Sequence, residues 1–152
     1  MAGSKAILRI IDANLNRLGE GLRFLEEVAR FVLNDERLTA EFKKLRHDLA
    51  PRDLLVKTRY LDARQAETDV GASIKLDLEQ PARDLSQAAV ANARRAEEAM
   101  RVLEELAKTA DSGLDGAGLQ DARFTIYNLE KELLSKIMRH DLAARLRGLH
   151  AV

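Results

Sequence analysis

Apolar residues recur along most of this chain at spacings of three and four, the period of a helix that buries one face. From Lys5 to Leu33 the series is Ile7, Ile11, Leu15, Leu18, Leu22, Leu25, Ala29 and Val32, which predicts one long amphipathic helix. Asn34-Asp35 interrupts it. Leu38, Phe42, Leu45 and Leu49 then mark a second helix that stops at Pro51, whose ring cannot continue an established helix without a kink. A shorter helix is expected from Pro51 to Tyr60. Between Asp62 and Pro81 the period is lost, and Asp69-Val70-Gly71-Ala72-Ser73 has the composition of a turn. Leu85, Ala89, Ala96, Met100, Leu103 and Ala107 predict a helix within Ala82 to Ala110. Asp111 to Gly118 holds three glycines and is expected to connect it to a final helix from Leu119 to about His140. The expected fold class is all-α, with helix exceeding about 60% of the chain. Residues 5–140 are expected to form one domain, followed by a short basic tail at 141–152.

The first and third long helices resemble each other when 78 is added to each number. Ala13, Asn14, Arg17, Glu20, Arg23, Leu25, Glu26, Glu27 and Ala29 fall on Ala91, Asn92, Arg95, Glu98, Arg101, Leu103, Glu104, Glu105 and Ala107. Shared helicity alone does not demand nine identities in 17 positions. Each repeat continues into a second helix, so the predicted architecture is an up-and-down bundle of two helical hairpins about a pseudo-twofold axis.

Composition narrows the function classes. The length of 152 residues suits a single core, and 46% hydrophobic with 33% charged residues is a globular balance. Aromatic residues make up only 4% and Trp is absent, which argues against a stacking surface for nucleic acid. Net charge is zero, so long-range attraction to nucleic acid or anionic lipid is not expected. With no Cys, disulfides and thiolate metal sites are excluded. No apolar run approaches the roughly 18 residues of a membrane span, and no basic-then-apolar leader opens the chain, which makes the cytoplasm the expected location. Arg outnumbers Lys 17 to 8, and Arg is the better two-point clamp for phosphate or carboxylate. A genome rich in Arg codons explains the same bias.

Asn14 falls inside the stripe of Leu18, Leu25 and Val32, and Asn92 sits equivalently beside Ala96 and Leu103. A buried amide costs free energy unless it is hydrogen-bonded. Arg17 and Gly21 follow along the same edge, matched by Arg95 and Ala99. One explanation is structural: each Asn bridges helices, and each Arg pairs with Glu20 or Glu98 at a few tenths of a kcal/mol. The other is a shared polar site in which the two Asn–Arg pairs face each other. Gly19-Glu20-Gly21 places two glycines inside a helix at about 1 kcal/mol each relative to Ala, which close packing or a ligand against the backbone would explain. No Walker-type loop is present, Gly113 to Gly118 follows no predicted strand, and no His has Glu three residues before it. Leu45-Arg46-His47-Asp48-Leu49 resembles the phospho-accepting box of histidine kinases, which leaves a phosphotransfer module using His47 as one reading.

An ordered set of segments carries a more specific resemblance. It comprises Asp12-Ala13-Asn14-Leu15-Asn16-Arg17, Glu20-Gly21-Leu22-Arg23, Leu45 to Leu49, Asp69-Val70-Gly71, Ala91-Asn92 with Arg95, and Glu98 to Glu105. From about Arg9 to Leu134 the chain resembles the monofunctional hydroxymethylpyrimidine phosphate kinase family, a helical domain found alone or fused ahead of thiamine-phosphate synthase. Gly19 stands where that family commonly has Arg, and Arg64-Gln65-Ala66 departs from an expected Arg, acidic residue and Thr.

The resemblance implies ATP-dependent phosphorylation of 4-amino-5-hydroxymethyl-2-methylpyrimidine phosphate to its diphosphate. Such a reaction joins two polyanions, so charge neutralisation by Mg²⁺ and guanidinium groups carries most of the catalysis. The implied roles are Arg17, Arg95, Arg46 and Arg64 as phosphate clamps, Glu20, Glu98 and Asp69 as Mg²⁺ ligands, and Asn14 and Asn92 as partners of the aminopyrimidine. Gly71, whose turn lets backbone approach phosphate, and His47 complete the substrate-binding set, with residues 62–81 as a lid. ATP and the pyrimidine phosphate are the implied ligands, thiamine-phosphate synthase an implied partner, and paired surface charges admit a homodimer. The alternative is a non-catalytic helical partner or fusion module of that synthase, because no βα pattern of a synthase barrel occurs in this chain.

Overall fold

The computed structural model describes residues 2–51, 54–64, 68–72, 83–109 and 112–150. Helix accounts for 86% of the described residues, and no strand occurs among them. Five α-helices pack as a bundle: α1 Ala2–Glu27, α2 Glu36–Leu49, α3 Leu54–Ala63, α4 Leu85–Ala107 and α5 Gly116–His150.

Each helix end has a local cause. α1 does not end at Leu33 as a plain α-helix but widens into a π-helical turn at Val28–Val32. Asn34 then adopts φ 51°, a left-handed conformation that Asn tolerates better than most residues, and the chain reverses. Asp35 caps α2 by accepting from the Leu38 N–H at 2.9 Å. α2 ends where Ala50, next to Pro51, is forced into extended backbone with ψ 142°. α4 opens on a reciprocal box in which the Gln87 N–H donates to Asp84 Oδ1 at 2.8 Å and the Asp84 N–H donates to Gln87 Oε1 at 3.1 Å.

Three expected boundaries move. Gly116 and Gly118 belong to the first turn of α5 rather than to a connector, because Asp115 accepts from the Gly118 and Leu119 N–H groups and starts the helix there. The sequence expected as a tail after His140 is helical through His150. The expected non-helical segment 62–81 also shrinks, since α3 runs to Ala63, and residues 65–67 and 73–82 lie outside the described residues.

The core is aliphatic: Ile11, Leu18, Leu22 and Leu25 of α1 meet Ala93, Ala96, Met100 and Leu103 of α4, with Phe42 of α2 and Ile126, Leu133 and Ile137 of α5 around them. The α1–α4 seam is tight at Gly21, where an added Cβ would lie 2.8 Å from the Asn92 carbonyl oxygen and 3.3 Å from the Ala96 Cβ. Small residues let the two backbones approach. Gly19 has nothing within 4 Å of such a Cβ, so packing does not explain it. No helix among the described residues is long and apolar enough to cross a membrane.

Candidate functional site

The close α1–α4 seam fixes what lies beside it. One turn along from Gly21, an open cleft of about 490 Å³ is lined by Asn14, Arg17 and Glu20 from α1 and by Arg95, Glu98, Ala99 and Val102 from α4. Five predicted site residues from the two repeats thus share one cleft. Gly21 meets Asn92 across the seam, and the repeat mates of these two residues, Ala99 and Asn14, share the cleft.

Asn14 is buried, at 4% exposure, and its Nδ2 donates to the Ile10 carbonyl at 2.9 Å. Asn92 makes the matching bond to the Ala88 carbonyl at the same distance. Among the described residues neither amide bridges two helices. Each spends one N–H on its own helix and keeps its remaining hydrogen-bonding capacity. Arg17 and Arg95 are exposed, and neither enters an ion pair among the described residues, so the expected surface pairing with Glu20 and Glu98 is not formed.

Arg64 sits elsewhere than in that cleft, at the end of α3. Its Nε donates to Asp12 Oδ2 at 2.6 Å and its Nη2 to Asp12 Oδ1 at 3.0 Å, a two-point pair that raises the guanidinium pKa further. Arg64 lines a second cleft of about 450 Å³ with Arg9, Asp12, Asn14, Arg17 and Asp69. Asn14 and Arg17 therefore stand between two openings. Asp69 Oδ1 accepts from the Gly71 N–H at 2.9 Å, which closes the turn but leaves Gly71 outside the lining of either cleft.

Arg46 serves a third opening, of about 400 Å³ between α1 and α2, whose wall includes Asp12, Gly19, Glu20, Arg23 and Arg46. Its Nη2 reaches buried Glu26 at 3.3 Å, and its Nε is buried without a partner. The second repeat has the same arrangement, with Arg123 Nε 2.7 Å from Glu104, the repeat mate of Glu26. His47 is exposed on α2 and lines none of these clefts, so the structure does not join it to the arginines. Among the described residues no three His, Asp or Glu side chains are grouped to hold a metal ion. Glu20 and Glu98 share the seam cleft while Asp69 faces the neighbouring one, so the three expected ligands do not form one set.

Asp12 and Arg9 received no role from sequence. Asp12 is 8% exposed and stands one turn from both Leu8 and Leu15. A carboxylate at that edge of an apolar face requires a cationic partner, and that requirement was the available signal. On the far side of α4, Glu97 is pushed up to about 8 by burial, reinforced by the adjacent Glu130 carboxyl, and keeps its proton at neutral pH. Its Oε1 is buried and accepts no donor among the described residues.

Residues 9–132 match the ThiD2 family. This chain belongs to the ThiD2 family. That match takes in α1 from Arg9 onward, α2, α3, α4 and the first half of α5, hence every lining residue of the three clefts except Ala6. Among similar proteins, a thiamine-phosphate synthase of Rhodopirellula baltica is 43% identical over 149 residues, covering 97% of this chain and 39% of the relative. A thiamine-phosphate synthase of Synechocystis is 42% identical over 142 residues, covering 91% of this chain and again 39% of the relative. The chain thus spans about two fifths of the length of these relatives. No solved structure matches it.

Proposed function

We propose that this ThiD2-family chain is a helical module that acts beside a thiamine-phosphate synthase in thiamine biosynthesis. The observation that carries this reading is the 43% identity, across 97% of this chain, to part of a protein named for that activity. The module then either accompanies the synthase as a binding partner or prepares its pyrimidine substrate.

The seam cleft favours the second role. Two unpaired guanidinium groups, two carboxylates and a buried amide converge there from both repeats, which suits a ligand with phosphate at one end and a polar ring at the other. The finer reading is ATP-dependent phosphorylation of 4-amino-5-hydroxymethyl-2-methylpyrimidine phosphate. A phosphate oxygen of that substrate attacks the γ-phosphorus of ATP, the new P–O bond forms, and the bond to the β–γ bridging oxygen breaks to release ADP. The attacking phosphate is already anionic, so no strong base is needed. Arg17 and Arg95 neutralise the charge of the approaching phosphates. Mg²⁺ bound by nucleotide phosphates and water needs only one or two protein carboxylates, and Glu20 and Glu98 are on hand for it.

The test is to incubate the chain with ATP, Mg²⁺ and the pyrimidine monophosphate and to measure the diphosphate. Diphosphate formed at a rate proportional to protein supports the kinase. Its absence, together with specific binding to a thiamine-phosphate synthase, moves the assignment to the non-catalytic partner. Absence of both overturns the proposed function.

A further inference from the structure

The two repeats are unequal where their clefts open, and the inequality points to one anion site. Arg9, Arg17 and Arg64 line the cleft of about 450 Å³ in the first repeat, with the buried Asn14 amide between them. Against these three cations stand two carboxylates. Asp12 is paired at two points with Arg64, and Asp69 accepts from the Gly71 N–H. In the second repeat, Asn14 and Arg17 are retained as Asn92 and Arg95, but Arg9 becomes Gln87 and Asp12 becomes Val90. Gln87 is held in the box that opens α4, and Val90 cannot hold a guanidinium.

The pair with Asp12 does more than offset charge. It connects the middle of α1 to the end of α3, 52 residues away, and fixes the plane of a side chain that is otherwise 48% exposed. A guanidinium has five N–H donors, and Asp12 takes two of them in a fixed fork. We propose that this cleft is the binding site for a phosphate-class anion, a phosphate monoester or diphosphate, gripped by Arg9, Arg17 and Arg64, with Asp12 as the positioning residue for Arg64. The site deepens the function proposed above and rests on it for the identity of the natural ligand: the phosphate end of the substrates belongs to the first repeat.

Calorimetric titration with inorganic pyrophosphate at low ionic strength tests the site without turnover. The chain is expected to bind one equivalent, and Arg9→Ala and Arg64→Ala are each expected to weaken binding about tenfold or more. Arg101→Ala, an equal change of charge in a different cleft, is expected to leave binding unchanged. Asp12→Asn separates positioning from charge. It makes the cleft more positive, so an effect of charge alone would tighten binding, whereas loss of Arg64 orientation weakens it. Should Asp12→Asn not fold, Arg64→Lys gives the same separation, because it keeps the charge and loses the two-point fork.

No pyrophosphate binding, or equal loss in Arg101→Ala, overturns the site. Tighter binding by Asp12→Asn, or full binding by Arg64→Lys, overturns the positioning role. Displacement of pyrophosphate by the pyrimidine monophosphate assigns the cleft to the substrate phosphate, and displacement by ATP alone assigns it to the nucleotide. Displacement by neither overturns the assignment of this cleft to the kinase substrates while leaving the anion site standing.

Discussion

The two repeats of this bundle begin from the same helix and end as different environments. Both turn an Asn back onto the carbonyl four residues earlier, and both hold a half-buried Arg of the following helix against a Glu of the first. Two of the positions at which they differ set their surroundings apart. Where the first repeat has Asp12, the second has Val90. Where the first has Gly19 on the wall of an open cleft, the second has Glu97 packed beside Glu130. The second repeat also opens a cleft, of about 470 Å³, but sets Glu104 and Glu105 beside its Arg101, Lys108 and Arg123, whereas the Asp12 cleft of the first repeat is lined by three Arg. One helical pattern occurs twice along the chain, and departures from it give the two halves clefts of different charge.

That division of labour can be broken most sharply at the seam. Arg17→Ala and Arg95→Ala are each expected to leave folding intact and, in the proposed kinase reaction, to cut turnover about a hundredfold or more, the usual cost of one lost transition-state charge contact. Two folded variants with wild-type rates would remove the seam from the chemistry. The Glu–Arg pairs come next. Arg123 is 12% exposed and 2.7 Å from a 16% exposed Glu104, while Arg46 is 29% exposed and 3.3 Å from a 9% exposed Glu26, so Arg123 makes the closer pair and its guanidinium is the less solvent-screened. Urea unfolding should show Arg123→Ala losing about 2 kcal/mol and Arg46→Ala about 1 kcal/mol. Equal losses would mean that the repeats bury their ion pairs alike.

The glycines sharpen the contrast within a single turn of α1. Gly21→Ala drives a methyl into the Asn92 carbonyl and is expected to cost about 1 kcal/mol net, after the gain in helix propensity. Gly19→Ala meets nothing and should stabilise the fold by up to about 1 kcal/mol. The same sign for both substitutions would contradict the packing described at the seam. The effect of Glu97 is read against pH. The unfolded carboxyl titrates near 4.5 and the folded one near about 8, so its contribution is fully present below about 4.5 and is lost as pH rises through about 8. Melting temperature should therefore decline over that interval in the parent chain, and Glu97→Gln should flatten the decline. An unchanged slope would remove Glu97 as its source.

Much of this was legible in the chain itself. The spacing of Ile7 to Val32 and of Leu85 to Ala107 specifies helices because helical hydrogen bonds are local and the buried face repeats every 3.6 residues. The repeat, the interior position of Asn14 and the turn at Asn34-Asp35 follow from the same local rules. One boundary moved where a side chain acts on nearby backbone, as Asp115 does in drawing Gly116 and Gly118 into α5.

What the sequence could not assign was partnership across distance. Arg64 was grouped with Arg17, Arg95 and Arg46 as one clamp, but packing distributes these residues over three openings and gives Arg64 to Asp12, 52 positions away. Glu20, Glu98 and Asp69 carry the right chemistry for a common metal, yet the described side chains do not meet as a ligand set. Periodicity states which face of a helix is buried, because that depends on residues one turn apart. Which opposing helix meets that face, and at what register, depends on the fit of Gly21 against Asn92 and Ala96, and that fit exists only once the chain has folded.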